Sequence, residues 1–201
     1  LEFRRVLFRS TRLTISGTRE TKGKRMSTVF RKAKKTQAKL RLALTGPSGS
    51  GKTYSALLIA SGMGGRIALI DTENSSASLY ADEFQFDTVN LTVPYSIESY
   101  VDAIKAAKDE GYDVVIIDSL SHAWASEGGI LYKKSALDAR GGNQFANWKA
   151  PKAEQQQLRS AILQTDIHII CTMRSKTGYS MDEQTKRVNR IGMDPIQEPG
   201  M

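Results

Sequence analysis

Between residues 46 and 53 the chain reads Gly46-Pro47-Ser48-Gly49-Ser50-Gly51-Lys52-Thr53. Glycines at this spacing ahead of a lysine and a hydroxyl suit one task, wrapping backbone N–H groups around a phosphate chain. Glycine lets the backbone approach the anion closely, and the helix expected to start near Lys52 adds the positive end of its dipole. Lys52 then supplies a point charge for the β and γ oxygens. The Thr53 hydroxyl is a ligand for the Mg²⁺ that bridges them. Tyr54, next in sequence, is counted with the nucleotide-binding residues. The motif is a full Walker A pattern lying between a strand-like run and a helix-like one, and the cofactors it implies are ATP and Mg²⁺. A plain glycine-rich turn is the alternative.

A phosphate cradle needs an acidic partner at the end of another buried strand, and Val114-Val115-Ile116-Ile117-Asp118 supplies one. Asp118 is the Walker B candidate, expected to hold Mg²⁺ through a water; the alternative is a strand-ending carboxylate that caps the next turn. A second acid pair ends another run, in Asp71-Thr72-Glu73. Glu73 is the candidate to orient the attacking water, against the ordinary case of a solvated loop carboxylate, and Asp71 is expected to be structural. After the last run come Arg174 and Lys176. Either is a candidate finger on a γ-phosphate, in cis or from a neighbouring subunit; the alternative is a solvated basic loop.

These residues are positioned by short aliphatic runs separated by helical patterns, the rhythm of an α/β protein with a mainly parallel sheet flanked by helices. Strands are expected at 40–45, 66–71, 114–118 and 167–172, with a weaker one at 88–93. Helices are expected at 52–61, at 96–110 with Ser96 as N-cap and Val101, Ile104 and Ala107 along one face, and at 151–164. Residues 128–142, with two Gly-Gly pairs, read as a looser stretch, and 177–189 as a polar hairpin or loop. Met63 is expected to end the first helix. His122, His168 and Cys171 lack the spacing of a metal site, and Cys171 is expected in the core.

The chain of 201 residues carries a net charge of +8, which invites a nucleic-acid reading until its distribution is examined. Residues 1–41 hold 14 Lys/Arg against 2 acids, whereas the remainder holds 15 against 19, so the basicity belongs to the leading segment. Residues 1–25 are expected to be a non-native or disordered extension, 26–38 a basic lead-in and 39–201 the domain. A single cysteine excludes a disulfide-stapled miniprotein. No apolar run approaches the roughly 20 residues of a membrane span, and no secretory signal opens the chain, so a cytoplasmic location is expected.

Four stretches carry a family resemblance: Gly46 to Thr53, Ile70-Asp71-Thr72-Glu73, Ile117-Asp118-Ser119 and Cys171-Thr172-Met173-Arg174-Ser175-Lys176. Together they resemble the RecA-like core of P-loop NTPases. From Phe30 onward the chain is similar to phage-encoded AAA-type or RecA-like ATPases of the single-strand annealing group, including Ser119-Leu120-Ser121-His122-Ala123-Trp124. The resemblance implies Mg-ATP hydrolysis with Glu73 activating water and Asp118 as the Walker B acid. It also implies a role in phage DNA recombination or annealing, with single-stranded DNA, further copies of the chain or a single-strand-binding protein as partners. Two departures stand out. RecA recombinases usually carry glutamine where this chain has Thr172, and residues 192–201 resemble a lead-in to further strands, so a C-terminally truncated domain is expected.

Residues 121–152 interleave Trp124, Tyr132, Phe145 and Trp148 with five basic side chains and two acids. Aromatic faces beside cations are the usual means of holding single strands without sequence choice. Trp148, Lys149 and Arg140 are therefore DNA-binding candidates, as are Lys186 and Arg187 beyond the last strand, while Trp124 is expected to pack against the domain. Two rival readings use the same cradle: a small-molecule P-loop kinase, which would close an arginine-bearing lid over a second substrate, and a nucleotide-switched module that does not hydrolyse.

Overall fold

The aliphatic runs become one sheet because their side chains alternate between two cores. The computed structural model describes residues 38–181 and 188–196, which fall within one compact unit, Gln37–Met201. The expected extension at 1–25 lies outside the described residues, as does nearly all of the lead-in at 26–38. Five strands run parallel: β1 (Arg41–Gly46), β2 (Ile67–Asp71), β3 (Asp87–Asn90), β4 (Val114–Asp118) and β5 (His168–Met181). Their spatial order is β3-β2-β4-β5-β1, and β6 (Val188–Pro195) pairs antiparallel with the far half of β5. The helices are α1 (Lys52–Met63), α2 (Ile97–Asp109), α3 (Ser121–Ala125), α4 (Ile130–Ala139) and α5 (Lys149–Gln164).

Every residue of β4 is buried. Val114 and Ile116 join Leu69 and Ala56, Leu57 and Ala60 of α1 on one face. Val115 and Ile117 join Tyr100 and Ile104 of α2 and Leu158 of α5 on the other. Period-two alternation across a sheet covered on both sides is why the run reads as continuously apolar, and each such side chain contributes about 1.5–3 kcal/mol. The second helix begins as its sequence implies: Ser96 Oγ accepts from Ser99 N at 3.2 Å, and Ile97, Tyr100, Ile104 and Ala107 are buried along one stripe.

Three sequence expectations need correction. The weak strand is Asp87–Asn90, earlier than 88–93, because the chain turns away ahead of Pro94, which has no N–H for a ladder. The stretch at 128–142 is not loose but contains α4; only Ile130 of that helix is fully buried, so no apolar stripe announced it. The last strand continues past 172 to Met181, where it forms a hairpin with β6. Among the described residues no helix is long and apolar enough to cross a membrane.

Parallel strands put all their carboxyl ends on one rim. Gly46 lies opposite Arg174 and Asp71 opposite Asp118 in the ladder. Gly46, Asp71, Asp118 and Arg174 therefore share a single edge, at which ligands bind in open α/β sheets.

Candidate functional site

The glycine loop leaves β1 at Gly46 and enters α1 at Lys52. Its backbone takes the left-handed region at Gly49 (φ 75°) and Gly51 (φ 77°), with nothing within 4 Å of where a side chain would start. A Cβ on Gly46 would lie 2.6 Å from Ser50 Oγ, so the loop folds back over itself there. No side chain caps the N-terminus of α1 and no acid stands in its first turn, which leaves its first N–H groups available to an anion. Lys52 Nζ donates to Pro47 O at 2.7 Å. The positive-φ glycines, the uncapped helix start and Lys52 beside the loop fit a phosphate chain.

At the end of β4, Asp118 is 2% exposed. Thr53 Oγ1 donates to its Oδ2 at 2.5 Å, and the Thr172 hydroxyl donates to its Oδ1. Burial pushes the Asp118 carboxyl above its ordinary pKa, while the hydrogen bonds from Thr172 and Thr53 pull it back. A hydroxyl and a carboxylate in contact beside the phosphate loop form an all-oxygen donor pair, the chemistry that suits Mg²⁺. Thr72 N donates to Asp118 O at 2.7 Å, tying the end of β2 to that of β4.

Glu73 follows Thr72 on a tight turn. Asp71, itself 2% exposed, accepts from Glu73 N at 2.6 Å through Oδ1 and from Ala77 N at 3.2 Å through Oδ2. Asn74 and Ser75 take left-handed backbone angles, φ 56° and 61°. The Asp71 carboxylate thus holds the turn that aims Glu73, the structural part expected of it. The Glu73 side chain meets Arg174 from β5 in a two-point pair, Nε to Oε1 at 2.8 Å and Nη2 to Oε2. The carboxylate raises the pKa of the guanidinium further. Both oxygens of Glu73 are engaged, so here Glu73 is an ion-pair partner.

His122 on α3 borders the same carboxylate. Its Nδ1 lies 2.8 Å from Thr72 Oγ1, its ring stacks on Tyr95 with centroids 4.9 Å apart, and its Nε2 is 3.9 Å from Glu73 Oε1. Burial lowers the imidazole pKa; Glu73 opposes that shift and Arg174 adds to it. The loop carrying Tyr95 fits against Gly128, where a Cβ would meet Pro94 Cβ at 2.6 Å and Tyr95 N at 2.9 Å.

The remaining candidates are scattered. Tyr54 sits edge-on to Tyr80 and Phe84, at 5.6 and 5.3 Å between centroids. Lys176 is exposed, two residues beyond Arg174 on β5. Trp148 is half-buried and stacks on Trp124, centroids 6.3 Å apart, with Lys134 over its ring at 5.6 Å. Arg140 and Lys149 are exposed at the end of α4 and the start of α5. Lys186 and Arg187 lie outside the described residues. Reading by motif missed Thr72, Thr172 and His122, although Thr72 stands between two assigned acids at a strand end, where a hydroxyl has neighbours on two strands.

Residues 38–198 match the model of a protein family described as AAA domain. No curated protein matches the chain.

Proposed function

This chain belongs to the AAA domain family, and from that premise we propose that it binds Mg-ATP and hydrolyses it. The observation that carries this reading is the 2.5 Å hydrogen bond from Thr53 to Asp118, which joins the phosphate loop to the acid of a neighbouring strand at the rim that also carries Glu73. Backbone N–H groups of residues 46–53 and Lys52 would bind the phosphates. Thr53 and Asp118 would hold Mg²⁺, Asp118 through a water, and the ion supplies charge neutralisation at the phosphates when bound. Glu73 orients the water, for which its carboxylate must leave Arg174. Once released, Arg174 is a cation free to meet charge on the transferred phosphoryl group, with Lys176 as the second candidate.

The family resemblance extends the proposal to DNA: hydrolysis serves recombination or single-strand annealing, with single-stranded DNA held near Trp148, Arg140 and Lys149. What supports this is the interleaving of aromatic and basic side chains from α4 into α5.

The test is phosphate release from Mg-ATP with and without single-stranded DNA. Lys52→Ala is expected to lose nucleotide binding, and Glu73→Gln to keep binding while turnover falls by about 10². Retained Mg-ATP affinity in Lys52→Ala would remove the phosphate-loop assignment, and unchanged turnover in Glu73→Gln would return Glu73 to an ordinary loop carboxylate. Stimulation by the single strand, weakened by roughly 1–3 kcal/mol of binding in Trp148→Ala, is the expected sign of the DNA role. No stimulation, with phosphate transferred to a metabolite instead, would favour a kinase.

A further inference from the structure

Among the described residues Glu73 has two neighbours that can hold it, and only one does so in this arrangement. Arg174 takes both oxygens. His122 Nε2 lies 3.9 Å from Oε1, beyond hydrogen-bond distance. The imidazole is nevertheless fixed as though for a purpose at that edge. Its side chain is 14% exposed, Tyr95 covers one ring face, and Thr72 holds Nδ1 at 2.8 Å.

The Thr72 hydroxyl bears on which ring nitrogen carries the proton. Its oxygen accepts from Ser119 N at 2.8 Å and keeps one further lone pair and its own proton. It can give that proton to His122 Nδ1 at 2.8 Å, or give it to Ser119 O at 3.2 Å and accept from the ring. In the first arrangement the proton of a neutral imidazole sits on Nε2, which faces Glu73.

We propose that His122 is a positioning residue for Glu73: when the carboxylate leaves Arg174, Nε2–H of His122 takes Oε1 and leaves Oε2 directed at water. The inference rests on the proposed role of Glu73 and extends it. A carboxylate freed from a guanidinium with no second donor would sample several rotamers, and a base that wanders loses most of its effect on an oriented water. His122 is indexed to both strands that bear the acids, through Thr72 of the β2 end and Ser119 of the β4 end, so the receiving donor keeps its place while Arg174 moves.

The test compares His122→Asn, which can keep the bond to Thr72 from the Nδ1 position but offers nothing to Glu73, with His122→Gln, whose amide nitrogen reaches about as far as Nε2. Mg-ATP affinity, thermal midpoint, KM and kcat are measured on the full chain. The expected result is a kcat about 10-fold lower in His122→Asn with KM and nucleotide affinity unchanged, and recovery to within about 3-fold in His122→Gln. In a Glu73→Gln background His122→Asn should add no further loss. Full kcat in His122→Asn, loss of nucleotide affinity in step with kcat, or an additive double mutant would each overturn the role of His122. Should His122→Asn fail to fold, the Gln variant decides: its kcat must stay near wild type and become insensitive to position 122 once Glu73 is changed. Wild-type turnover in Glu73→Gln alone overturns the proposed function and this inference with it, whereas loss in Glu73→Gln beside full activity in His122→Asn overturns this inference only.

Discussion

Arg174 and Glu73, separated by 101 positions in the chain, form a two-point ion pair at the carboxyl rim of the sheet, with Nε 2.8 Å from Oε1. The fork geometry matches guanidinium to carboxylate. The pair is asymmetric in its access to water, since the Arg174 side chain is 42% exposed and that of Glu73 19%. The cation can leave more readily than the acid.

Replacing Arg174 with alanine should therefore destabilise the nucleotide-free protein by about 1–2 kcal/mol, discounted for the exposure of the guanidinium. Arg174→Lys should recover part of this, because an ammonium restores charge without the planar fork. Urea midpoints of the three proteins measure it, and identical midpoints would mean the pair contributes nothing to folding.

Asp118→Asn removes the charge that the Thr53 and Thr172 hydroxyls face. The variant should bind ATP with little dependence on Mg²⁺, and wild type treated with EDTA should bind like it. Titration of a fluorescent nucleotide with and without Mg²⁺ checks both, and an undiminished Mg²⁺ effect in Asp118→Asn would take the ion away from this carboxylate.

Cys171 is buried in β5, and burial pushes its thiol up to about 12. Near neutral pH it should resist alkylation until the domain unfolds as a whole, since a thiol that is neither ionised nor accessible is inert. Its labelling rate should therefore follow global unfolding as urea rises. Rapid labelling of the native protein would contradict the packing of β5 against β1 and β4.

His122 gives the stability of the protein a pH dependence. Its folded-state pKa is lowered, chiefly by burial, among Glu73, Arg174 and Asp118 and beside Tyr95. As pH falls below about 6.5 the unfolded chain takes up a proton that the folded one refuses, so stability declines on acidification toward the lowered value. His122→Gln should lose less stability than wild type between about pH 7.5 and 5.5. Parallel stability curves for the two proteins would argue against a neutral, buried ring.

The phosphate loop was legible in sequence because its chemistry is local: eight consecutive residues carry the glycine angles, the cation and the hydroxyl. Asp118 was legible for a related reason, as a lone acid closing a run with no other polar residue. Glu73 was visible as a candidate, but its partner was not. Nothing in the residues near Arg174 encodes a pairing set by the order β2-β4-β5 in space. The helix after Gly129 buries almost nothing, so the pattern that reveals a helix is absent from its sequence. The surroundings of His122 come from α3, the β2 end and the loop before α2, three segments with no common sequence signature.

Arg174 occupies the residue at which β5 changes partners. Its Cα still lies in register with Gly46 of β1, while its carbonyl already accepts from Ile196 N at 2.7 Å and the next residue, Ser175, pairs with Pro195 of β6. The side chain that holds Glu73 therefore stands one peptide unit from the place where the ladder of β5 passes from β1 to β6.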